Sequence, residues 1–398
     1  GKCQIMNNNR YWIWLSLALG YDNPKVKRLY ETEEYRDISV FYNGQDFEWR
    51  FCGIFTEKEI NHLEETPIEK ADEIISKCES LGYSIFAIDN DRYPNCLRNI
   101  DTPPAVIYVS GYLPRVDNLL TIAIVGTRKA TTYGKKVAYS ISHNLSKCKV
   151  TIISGGAMGV DSSAHTGALN ADGITICVLG CGINYPYLMK NEPMRKAITH
   201  RGCLISEYPP DTEPLPHHFL SRNRIISALS RGVLVVEAGK KSGALVTADI
   251  AGKEQGKDVF AVMANINSVY SVGSNQLIKD GAIPVTTYLD ILNYYNEFNN
   301  LEVYEDDEYD IPDSTVLKIP AKKSNEKPEK EFIKGHRYDV KLDENSSKVY
   351  YAIGNEPIHI DDLSDKCNLP VYKISGILTN LELMDLIVVL PGKQYKIK

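Results

Sequence analysis

The run Ile122 to Val125 ends on Gly126, and Thr127 and Arg128 follow at once. An apolar β-branched segment thus meets a tight turn with a cation in it, and a helical pattern opens at Tyr133. Backbone N–H groups and the helix dipole at such a junction favour an anion, most often a phosphate. The turn lacks the dinucleotide glycine fingerprint, and no Gly-Lys-Ser/Thr falls between Gly126 and Gly134. Nicotinamide dinucleotides and nucleotide hydrolysis therefore lose ground.

Three further motifs carry similar chemistry. Ser154-Gly155-Gly156-Ala157-Met158-Gly159 precedes Asp161 and His165. Its glycines let a backbone or phosphate approach closely. Asp161 is expected to cap the following helix. His165, one helical turn past Asp161 on the same face, is read as a packing residue rather than a catalyst. Next, Phe219-Leu220-Ser221-Arg222-Asn223-Arg224 is expected to open a helix. Two arginines in a first turn oppose the helix dipole, which suggests that an anionic ligand compensates them. Phe219 just before it can stack on a base or act as a hydrophobic staple. Finally, Glu237-Ala238-Gly239-Lys240-Lys241-Ser242-Gly243 adds lysines, a hydroxyl and glycines. Four strand-end motifs then carry small residues, three of them with Arg or Lys. One mononucleotide needs less than that; a backbone with several phosphates needs about that much.

The elements that must hold these motifs alternate. Strands are expected at 121–126, 150–155, 174–180, 203–207, 232–237 and 258–263, with helices at 133–148, 160–170, 193–200, 222–230 and 243–255. Continuous apolar strands separated by helices imply an α/β fold: a Rossmann-like, doubly wound, mostly parallel sheet. Ligands in such sheets sit beyond the carboxyl ends of the strands. Four segments are expected. Residues 6–83 form a small N-terminal helical module, with helices at 10–19, 56–65 and 67–81, the last capped by Thr66. Residues 84–296 form the Rossmann-like domain, 297–344 a flexible linker, and 345–398 a winged helix-turn-helix. The linker begins with an acidic run, Glu302 to Asp313, without Lys or Arg. The presumed recognition helix carries Lys373 but also Glu382, with Asp385 beyond it. That set grips a duplex poorly, so a protein contact is at least as well supported.

The chain has 398 residues and a net charge of −6, which argues against a histone-like binder but not against a local basic groove. Its nine cysteines lack paired spacing, so reduced structural thiols in a cytoplasmic protein are expected, with no metal and no cofactor. Trp12 to Leu19 is too short for a membrane span and is read as a packed helix. Met6 is read as the natural start, with Gly1 to Ile5 a vector remnant.

Taken in order, these pieces resemble the DprA/Smf family of DNA-processing proteins of bacterial natural transformation. The resemblance rests on Gly126-Thr127-Arg128, on Ser154 to Asp161 with His165 and Ala168-Leu169, and on Val178 to Gly182 with Tyr185-Pro186. It continues through Ser206 to Pro209, Phe219 with Arg222 to Arg224, Val236 to Ala238 with Ser242-Gly243, and Gly273 with Leu277-Ile278 and Asp280 to Ala282. It is dense over residues 90–290.

The resemblance implies a non-catalytic protein that binds and shields single-stranded DNA, acts as a homodimer and helps load the RecA recombinase. It places the phosphate-contacting turn on Gly126, Thr127 and Arg128, and the glycine loop on Gly155 and Gly156. The base-and-phosphate element falls on Phe219, Arg222, Asn223 and Arg224, and Lys240, Ser242 and Gly243 line the next strand end. Arg128 and Arg224 are the side chains whose loss is expected to weaken binding. Met158 stands where family members often carry a lysine, Leu220 replaces a proline, and Met263-Ala264 replaces a Pro-Gly. The winged helix is left to other DNA-processing partners, and no membrane is expected. The competing reading is a phosphoribohydrolase-like nucleotide enzyme. Its nearest acid past Ser242-Gly243 is Asp249, about two turns inside a helix, and a role beside the arginines is favoured for Glu207 and Glu237.

Overall fold

The computed structural model describes residues 8–295, 344–353, 357–367, 369–383, 387–390 and 394–397. The Met6 start, all but the last residue of the 297–344 linker, and Asp385 lie outside the described residues. Two compact units are present, Gly1–Ala321 and Lys322–Lys398.

The first unit is built on a nine-stranded sheet. In chain order its strands are β1 Ser84–Ala87, β2 Val106–Gly111, β3 Thr121–Val125, β4 Thr151–Ser154 and β5 Thr175–Leu179. They continue as β6 Cys203–Ser206, β7 Gly232–Val235, β8 Asp258–Val262 and β9 Ile283–Val285. The spatial order is β1-β2-β6-β5-β4-β3-β7-β8-β9. Strands β3 to β9 pair in parallel, while β1 and β2 form an antiparallel extension against β6. The chain winds outward from β3 to β6, then returns to lay β7 beside β3. The crevice of a doubly wound sheet opens at that reversal. The turn after β3 and the lysine loop after β7 both end there.

Side chains alternate across the sheet. Ala123 and Val125 face one core, and Ile122 and Ile124 face the other. The first core continues without a break into the N-terminal helices through Trp12, Trp14, Leu29 and Phe41. The helix Asn9–Leu19 is buried over Trp12 to Ser16, as its apolar run predicts. The Thr66 cap is corrected. Thr56 makes the capping box of the helix Glu57–Glu65, and the next helix, Glu69–Leu81, starts without a side-chain cap. Among the described residues no helix is long and apolar enough to cross a membrane, and the cysteines are free thiols.

The second unit holds the helices Glu344–Ala352, Ile360–Cys367 and Val371–Leu383 with a three-stranded antiparallel sheet. Val349, Leu363, Ile374, Leu378 and Leu381 form its core. Lys373 and Glu382 are exposed on the third helix.

Candidate functional site

Four loops converge at the carboxyl end of the parallel strands. The turn after β3 is locked from below: the Thr127 amide donates to the Glu237 carbonyl at 2.8 Å. The Thr127 hydroxyl accepts from the Lys129 amide at 3.2 Å. With these groups spent inside the turn, the exposed Arg128 and Lys129 side chains are what it offers outward.

Glu237 does not stand beside an arginine. Its carboxylate accepts from the Thr131 amide at 2.9 Å and the Thr131 hydroxyl at 2.6 Å. Thr131 in turn caps the helix Thr132–Lys147. A carboxylate at a helix N-terminus stabilises it, and this one joins the turn after β3 to that after β7.

The glycine loop after β4 packs against the first turn. Gly159 has φ +87°, and a Cβ there would lie 2.4 Å from the Thr127 carbonyl oxygen. Only glycine brings the two loops this close. Gly155 and Gly156 are buried and Met158 is exposed. Asp161 lies inside the helix Val160–Asn170 rather than capping it. Its carboxylate accepts from the Ala157 amide at 3.3 Å and so holds the loop. Burial raises its pKa, and the Arg222 guanidinium works against that rise.

His165 is fully buried, with Nδ1 2.8 Å from the Thr175 hydroxyl. Burial, aided by Arg222, lowers its pKa to about 3. In an unfolded chain it titrates near 6.5. The folded state therefore favours neutral His165, and its contribution is complete above about pH 6.5. As pH falls from there toward 3, about 1.4 kcal/mol of stability is lost per pH unit. Urea unfolding at pH 7 and pH 5 should show this loss, and His165→Asn should flatten it. An equal pH dependence in both proteins would contradict the assignment.

The third motif is placed differently from the expectation. The helix begins at Pro216 and runs Pro216–Ala228, so Arg222 and Arg224 lie in its second and third turns. The dipole argument for a compensating anion falls with that register. Phe219 lies within the helix, half-buried, its ring seated on Gly180, where a Cβ would come within 2.9 Å of it. The Arg128 guanidinium lies 5.2 Å from the ring centroid and that of Arg222 lies 5.9 Å from it. Arg222 is buried and donates to the Gly155 carbonyl at 2.9 Å and to the Val178 carbonyl. It supports the ring and the glycine loop from beneath.

Arg224 does not join this group. It is 5% exposed, donates to Glu207 at 2.7 Å and Thr102 at 3.0 Å, and pairs with Asp22 at 2.9 Å. Its charge is spent on tying the N-terminal helices to the sheet. Asn223 is buried as well, donating to the Gly243 carbonyl at 3.4 Å. After β7, Lys240, Lys241 and Gly243 are exposed, and the Ser242 hydroxyl caps the helix Gly243–Asp249. The surface thus presents Arg128, Phe219, Met158 and Lys240. Arg222 and Asn223 lie beneath it, and Arg224 lies apart.

Sequence reasoning missed Tyr187, whose ring centroid is 5.4 Å from that of Phe219. The neighbouring Tyr185-Pro186 pair was the available signal. Among the described residues no group of His, Cys, Asp or Glu could hold a metal ion.

The family model for DNA recombination-mediator protein A matches residues 84–296, more than half of the chain. The chain belongs to the DprA/Smf family. The DprA winged helix domain matches residues 339–393. Protein Smf of Escherichia coli is 33% identical over 80% of this chain and 79% of its own length. The X-ray structure of DprA from Streptococcus pneumoniae is similar at 29% identity and TM-score 0.61, covering 71% of this chain and 97% of that one. DNA processing protein A of Helicobacter pylori, whose structure concerns its single-stranded DNA binding mode, is 31% identical, with TM-score 0.49 over 54% of this chain and 96% of that one.

Proposed function

We propose that this DprA/Smf member binds single-stranded DNA across the carboxyl ends of β3, β4, β5 and β7. One observation carries the reading: an aromatic ring, Phe219, sits half-exposed beneath the exposed Arg128 and is held from below by the buried Arg222. A ring beside an exposed cation suits a nucleobase and its phosphate, whatever the base. Lys240 and Lys241 continue the positive charge toward the crevice.

The protein shields incoming strands, acts as a homodimer and helps load RecA during transformation, without chemistry of its own and in the cytoplasm. Residues 84–296 bind the strand, 6–83 brace that domain, 297–344 link, and 345–398 meet protein partners. The phosphoribohydrolase-like alternative needs a free carboxylate at the glycine loops. Asp161, Glu207 and Glu237 are each engaged within the fold, and Asp249 pairs with Lys253 at 2.7 Å.

Gel-shift titration with single and double strands at two salt concentrations tests the reading. Single strands should bind tighter, with little base preference, and weaken as salt rises. Equal, salt-insensitive binding of both forms would overturn it, as would release of free base from a nucleoside monophosphate.

A further inference from the structure

Phe219 is not the last ring at this surface. Tyr187, from the loop between β5 and the helix Glu192–Arg201, lies beside it at 5.4 Å with the ring planes 44° apart. Bases within one strand follow each other at about 3.4 Å. Rings spaced and tilted like these leave no room for a base between them. They form two facets of one bent platform, each able to take a different base.

The loop that carries Tyr187 is firmly held. The Gly182 amide donates to the Thr212 carbonyl at 2.9 Å, and the Asn184 amide to the Pro210 carbonyl at 2.9 Å. The Asn191 side-chain amide donates to the Gly156 carbonyl at 3.1 Å, joining this loop to the glycine loop. The buried Arg195 donates to the Tyr187 carbonyl. The next residue, Leu188, sits at φ +48°, a left-handed conformation that costs a β-carbon-bearing residue energy. A buried cation and a left-handed neighbour thus fix the backbone that carries the ring, which packs beside Phe219 and stays half-buried. A preset ring pays little ordering entropy when a base arrives.

We propose that Tyr187 is a second base-stacking platform, and that the strand leaves Phe219 across the loop 181–191. The ligand is the nucleobase next to the one on Phe219, in a strand of any sequence. The proposal rests on the single-strand reading above and adds the direction in which the strand runs.

The test uses the full chain and an oligothymidylate just long enough to bind, read by fluorescence anisotropy. Tyr187→Ala should weaken binding about tenfold, and Tyr187→Phe should keep it within about twofold. Tyr187→Leu keeps apolar bulk without a π-face and should match the alanine variant. A scan of single abasic sites separates stacking from mere support of Phe219. The wild type should lose affinity at two adjacent positions, and Tyr187→Ala at one. If Tyr187→Ala and Tyr187→Leu bind like the wild type while Phe219→Ala binds weakly, the second platform is wrong and the groove stands. If Phe219→Ala also binds like the wild type, the groove reading falls too.

Discussion

Arg224→Ala should destabilise the protein by about 3–5 kcal/mol and leave strand affinity within about twofold of wild type once the chain is folded. The side chains of Arg224 and Glu207 are 6% and 4% exposed and 2.7 Å apart. Removing the cation strands a carboxylate in a site where water cannot repay its hydration. Thr102 and Asp22 lose a donor at the same time. Asp22, held at φ +61°, also receives the Ser221 hydroxyl at 3.0 Å. The N-terminal helices should therefore loosen from the sheet first. Urea unfolding measures the loss, and proteolysis between residues 20 and 25 should accelerate. Glu207→Gln in the Arg224→Ala background should restore part of the stability, because the stranded charge is gone. A stability unchanged in Arg224→Ala would mean that the buried pair does not hold these parts together. A loss of affinity in folded Arg224→Ala would return this arginine to the groove, where its sequence context first put it.

The sheet was legible for a simple physical reason. Strands buried on both faces are continuous apolar runs, and β3 to β8 all read that way within a residue or two. The β9 strand was missed because it is a three-residue edge strand with Pro284 at its centre. The β2 strand was obscured by Pro103 and Pro104 just before it.

The site was legible in its loops and misread in its helix. Glycines stand in the loops after β3, β4 and β7, and cations in those after β3 and β7, and both are plain in the sequence. The helix Pro216–Ala228 hid its start: Leu215 is not a capping residue, and the segment before it is rich in proline. Proline at the first helical position was the signal to use. The register error put Arg222 and Arg224 in a first turn, and from there both looked like ligand cations. Their true partners come from tertiary structure. Glu207 and Asp22 reach Arg224, and carbonyls of the glycine loop and of strand β5 reach Arg222, and no local pattern announces such meetings. Tyr187 was hidden likewise, because its meaning depends on Phe219 standing beside it.

Arg128 is the exposed cation at the centre of the proposed track, and its loss should have the largest effect on binding. A charge-assisted contact is worth about 1.5–3 kcal/mol, so Arg128→Ala should bind single strands about 10- to 100-fold more weakly. Stability should hardly change, because Arg128 contributes no buried pair: it is exposed, and its guanidinium lies 5.2 Å from the centroid of the Phe219 ring. The most direct measurement is the affinity of wild type and Arg128→Ala for one single-stranded oligonucleotide across a salt series. The plot of log affinity against log salt should be shallower in the variant by about 0.7, the share of one phosphate contact on a single strand. The deficit should be the same for every base composition. Equal affinities and parallel slopes would contradict the account, because the strand would then pass somewhere other than over Gly126, Thr127 and Arg128.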